Sequence, residues 1–134
     1  MNRKGWFFLV FTIFFIMGCE NSLTVNDASL QVSFVNKSSA TLKNLTVADI
    51  YIGELKPENI SGSFEYAEFS FDTGMPDEDA SALIGDKLFT NYYRGYWCGT
   101  EKLTVESGKF LIEVDVIDTV LYLSCKNAPT IFDR

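Results

Sequence analysis

Three stretches of this chain combine residue types that could do chemistry. Tyr92-Tyr93-Arg94-Gly95-Tyr96-Trp97 sets four aromatic rings and one guanidinium directly before Cys98. Aromatic faces stack on flat ligands and a guanidinium grips a carboxylate with two parallel hydrogen bonds, so Tyr92, Tyr93, Arg94, Tyr96 and Trp97 are candidate contacts for a glycan or a peptide. In a two-faced strand half of these side chains would instead fill a core; Tyr93 and Trp97 share a face only if no bulge intervenes at Gly95. Asp77-Glu78-Asp79, with Asp72 and Asp86 close in sequence, offers oxygen ligands of the kind calcium takes. It lacks the spacing and final Glu of the twelve-residue calcium loop, which favours a solvated acidic loop and no metal site. Glu113 and Asp115 lie two apart in an apolar segment and so share one face of a strand, where paired carboxylates either catalyse or simply meet water.

Nucleophilic catalysis finds few parts. The chain has no His, so Ser-His and Cys-His arrangements are excluded, and neither a Ser-x-x-Lys motif nor a phosphate-cradling Gly loop is present. The expectation is a protein that is not an enzyme and needs no cofactor.

The amino-terminal residues carry an address. Asn2-Arg3-Lys4 is a positive segment, Trp6 to Met17 a continuous apolar run, and Gly18 a small residue before Cys19, which is the anatomy of an export signal. The run is about a dozen residues, short of the ~20 a spanning helix needs. Ile16-Met17-Gly18-Cys19 resembles the lipobox of bacterial lipoproteins. That resemblance implies cleavage before Cys19, acylation of its thiol, and a chain held to the membrane by lipid, since two or more acyl chains anchor stably where one does not. Residues 1–18 are then signal peptide, 19–27 a lipidated tether and 28–134 a single domain.

Loss of the signal changes the charge. It removes Arg3 and Lys4 and no acid from a chain with 11 basic and 18 acidic residues, leaving nine against 18 and a net charge of −9. Such a surface excludes nucleic acid, whose binders need cationic patches, and gains nothing from anionic lipid. Two cysteines remain, Cys98 and Cys125, and an exported chain reaches a compartment where disulfides persist. A Cys98–Cys125 bond is therefore expected; closing that loop contributes about 3.6 kcal/mol in the chain-entropy treatment.

The hydrophobic period over the domain is two, with turn residues every ten or so positions. Leu30 to Phe34 alternates and ends in the polar cluster Asn36-Lys37-Ser38-Ser39; Leu42 to Ile52 reads as one strand with a bulge; Ser63 to Asp72 alternates with a step out of phase. Gly85-Asp86 between Leu83-Ile84 and Lys87-Leu88-Phe89 is a Gly-first hairpin turn. Phe110 to Val116 is the longest strand, with Ile112, Val114 and Val116 on one face, and Leu121, Leu123 and Cys125 mark its neighbour. The fold expected is an all-β, Ig-like or transthyretin-like antiparallel β-sandwich of about 7–8 strands.

The succession Leu55-Lys56-Pro57, an aromatic strand, a Gly-Asp turn, a Tyr-rich segment and Ser107-Gly108-Lys109-Phe110 resembles small Bacteroidetes-type lipoproteins. That resemblance implies a β-sandwich at the cell envelope, anchored by lipid to the outer membrane, and names no reaction. The functional expectation is a non-catalytic binding or scaffolding role, with an envelope protein or a glycan as partner. An inhibitor or immunity-type protein, whose acidic surface steers a basic partner, is the alternative from another class; a glycan-binding accessory lipoprotein is a third.

Overall fold

The computed structural model describes residues 29–91 and 102–129 of the chain. Among them are β1 (Leu30–Asn36), β2 (Leu42–Val47), β3 (Ile50–Leu55), β4 (Phe64–Tyr66), β5 (Phe69–Asp72), β6 (Met75–Pro76), β7 (Ala80–Ile84), β8 (Lys87–Thr90), β9 (Lys102–Val105), β10 (Gly108–Ile117) and β11 (Val120–Cys125). The described fold is all-β, and no helix among these residues is long and apolar enough to cross a membrane.

Eight strands form one sheet in the order β3-β2-β7-β8-β11-β10-β1-β4, and β6-β5-β9 form a second. The large sheet closes on itself. Its edge strands β3 and β4 stand at opposite ends of that order, yet the Tyr66 hydroxyl of β4 donates to the Val47 carbonyl of β2 at 3.1 Å, and the Asn36 amide of β1 donates to the Leu55 carbonyl of β3 at 2.8 Å. The fold line is the join between β8 and β11, which among the described residues is the pairing of Thr90 with Val120. One apolar cluster fills the space between the halves: Leu42, Leu45, Val47 and Phe89 from one, Leu30, Phe34, Ile112, Val114, Leu121 and Leu123 from the other. The small sheet caps it with Phe69 and Phe71, both fully buried, in a run of rings from Phe34 through Tyr66, Phe69 and Phe71 to Phe110 with centroids 5.3–6.4 Å apart. Such tilted and edge-on pairs contribute beyond their buried area.

The sandwich expectation therefore holds at the level of class, with three corrections. Eleven described strands replace seven or eight. Two pairings, β1 with β10 and β8 with β11, are parallel rather than antiparallel. Leu42 to Ile52 is a hairpin, not one bent strand: Ala48 and Asp49 both adopt left-handed φ values, 48° and 63°, making a two-residue turn that an Ala does not advertise. The bulge read there is real, at Asn44 (φ 50°), where the β2–β3 register shifts. The out-of-phase step in Ser63 to Asp72 marks the break at Ala67-Glu68, where the chain leaves the large sheet for the small one. The Gly85-Asp86 turn, the inward face of β10 and the β10–β11 pairing are as expected.

Candidate functional site

Tyr92, Tyr93, Arg94, Tyr96, Trp97 and Cys98 lie outside the described residues, as does Cys19. What the structure does place is the pair of positions from which segment 92–101 departs and to which it returns. It follows Asn91, the residue after β8, and precedes Lys102, the first residue of β9, so it joins the large sheet to the small one.

Both positions are tied to the same loop. Asn91 is buried, and its Oδ1 accepts from the Ala80 N–H at 2.7 Å while its Nδ2 donates to the Glu78 carbonyl at 2.6 Å. The Lys102 ammonium lies 2.6 Å from Asp77 Oδ2. The acidic triplet Asp77-Glu78-Asp79 is thus a crosslink between sheets. Its third tie is the Ser70 N–H of β5, which donates to Glu78 Oε1 at 2.6 Å; its fourth is the Asp79 carbonyl, which accepts from the Ala48 N–H in the β2–β3 turn at 2.8 Å. Burial pushes the Glu78 carboxyl above its ordinary range, helped by Asp77 and Asp79, although the Ser70 bond opposes it. Burial, with the Glu78 charge behind it, likewise raises the Tyr66 hydroxyl.

The calcium constellation does not assemble. Asp72 accepts from the Thr73 hydroxyl at 3.1 Å, Asp86 sits in the turn beyond the far end of β7, and Asp77 and Glu78 are engaged as above. No group of three or more His, Cys, Asp or Glu among the described residues could hold a metal ion. Glu113 and Asp115 do share the outer face of β10, opposite the buried Ile112 and Val114. Glu113 pairs with Lys126 at 3.1 Å, and Asp115 Oδ1 accepts from the adjacent Val116 N–H at 2.7 Å. They face away from the core, on the surface of a sheet.

The expected Cys98–Cys125 disulfide is not seen. Cys125 carries a free thiol at the end of β11, half-buried as a small hydrophobe against the core edge, and Cys98 lies outside the described residues. Burial pushes the Cys125 thiol up, away from the thiolate.

Sequence reasoning missed both buried asparagines. Asn36, with no exposure, donates to the Ala40 and Leu55 carbonyls and accepts from the Ser38 N–H and hydroxyl. A polar residue at the end of an apolar run reads as a turn; only an Asn, rather than Ser or Gly, at the end of β1 and directly after β8 hinted at a side chain able to both donate and accept. No family model, no curated protein and no solved structure matches the chain.

Proposed function

We propose that the protein is a lipid-anchored protein of the bacterial envelope with a non-catalytic binding role, held to the outer membrane through Cys19 and presenting Tyr92, Tyr93, Arg94, Tyr96 and Trp97 to its ligand. The observation that carries the binding half is the crosslink at Asp77-Glu78-Asp79. Asn91, which directly precedes Tyr92, is fixed to it by two hydrogen bonds, and Lys102, which follows residue 101, pairs with it. Side chains offered from a fixed base forfeit less entropy on binding than side chains on an untethered chain, which is the logic of preorganised recognition loops. The anchoring half rests on Ile16-Met17-Gly18-Cys19 and the apolar run before it.

The test begins with the full chain expressed in a bacterium that processes lipoproteins. The expected intact mass is that of a chain starting at Cys19 plus acyl groups, recovered with membranes, whereas Cys19→Ala is uncleaved and carries no acyl mass. An uncleaved, unmodified wild-type chain would refute the anchor. Once the signal is removed Trp97 is the sole Trp, so its emission reports on the segment alone. Titration with oligosaccharides should change it with little dependence on salt. A response confined to basic proteins and lost with rising ionic strength would point to the inhibitor class instead.

A further inference from the structure

We draw no further inference here: the strongest candidate, the patch of apolar side chains that Leu88, Val120 and Ile117 present on the outer face of the large sheet beside the β10–β11 turn, carries nothing because nothing in the structure shows what covers it.

Discussion

Replacing Asn91 by Ala should cost far more than its single side chain suggests. The substitution deletes two short hydrogen bonds, to the Ala80 N–H and the Glu78 carbonyl, and leaves the Ala80 amide at a buried strand start without that acceptor. Losing the bond to the Glu78 carbonyl costs about 1 kcal/mol, and orphaning the buried Ala80 donor costs about 1–3 kcal/mol, so the expected loss is about 2–4 kcal/mol. Against a domain stability of ~5–15 kcal/mol that is a large fraction. Breaking the other tie with Lys102→Met should cost below about 1 kcal/mol, because the Lys side chain is 65 % exposed and an exposed pair is worth little. Urea unfolding followed by far-ultraviolet circular dichroism separates them, since slopes of ~1–3 kcal/mol/M convert the Asn91 loss into a midpoint shift of about 1–4 M. Equal midpoints for the two variants would refute the argument that the crosslink is held by its buried asparagine.

Ala48 sits at φ 48° in the two-residue β2–β3 turn, where Asn is at home and Ala is strained. Ala48→Asn should therefore raise stability by about 0.5–1 kcal/mol, read as a higher thermal midpoint. The folded-state pKa of Glu78 is raised, so its burial favours the protonated form, and stability from this residue falls as pH rises through the unfolded value of ~4.3 toward the folded one. Glu78→Gln should match wild type in acid and gain on it as pH increases toward 7, in paired unfolding curves; a constant gap across pH would contradict this. The Cys125 thiol, raised by burial, should alkylate with iodoacetamide at pH 8 more slowly than glutathione and at the ordinary rate once urea unfolds the domain.

The fold class was legible because alternation is a property of single strands: Ile112, Val114, Leu121 and Leu123 are buried as their spacing requires. What was not legible is non-local. The parallel β1–β10 pairing joins residues nearly eighty positions apart, and nothing in Leu30 to Asn36 distinguishes a parallel neighbour from an antiparallel one. The β2–β3 turn was hidden because Ala and Asp at left-handed φ are held there by the fold, not by preference; the Ala48 N–H bond to the Asp79 carbonyl is part of what holds them. The acidic triplet was visible as charge and invisible as a crosslink, since its partners Ser70, Asn91 and Lys102 come from three different strands or strand ends.

The two buried asparagines help the large sheet keep its geometry. Among the described residues Thr90 and Val120 alone join β8 to β11, and that pairing by itself would let the halves pivot about the line. Apolar packing between the halves opposes separation but is non-directional and only weakly fixes their relative setting. Directional bonds are needed far from the fold line, and Asn36 supplies them at the opposite edge by joining the end of β1 to the end of β3. Asn91 acts within one half, fixing the residue after β8 to the start of β7 and to the loop that also grips the small sheet. A buried polar network of this kind specifies one arrangement because any other leaves its donors unpaired.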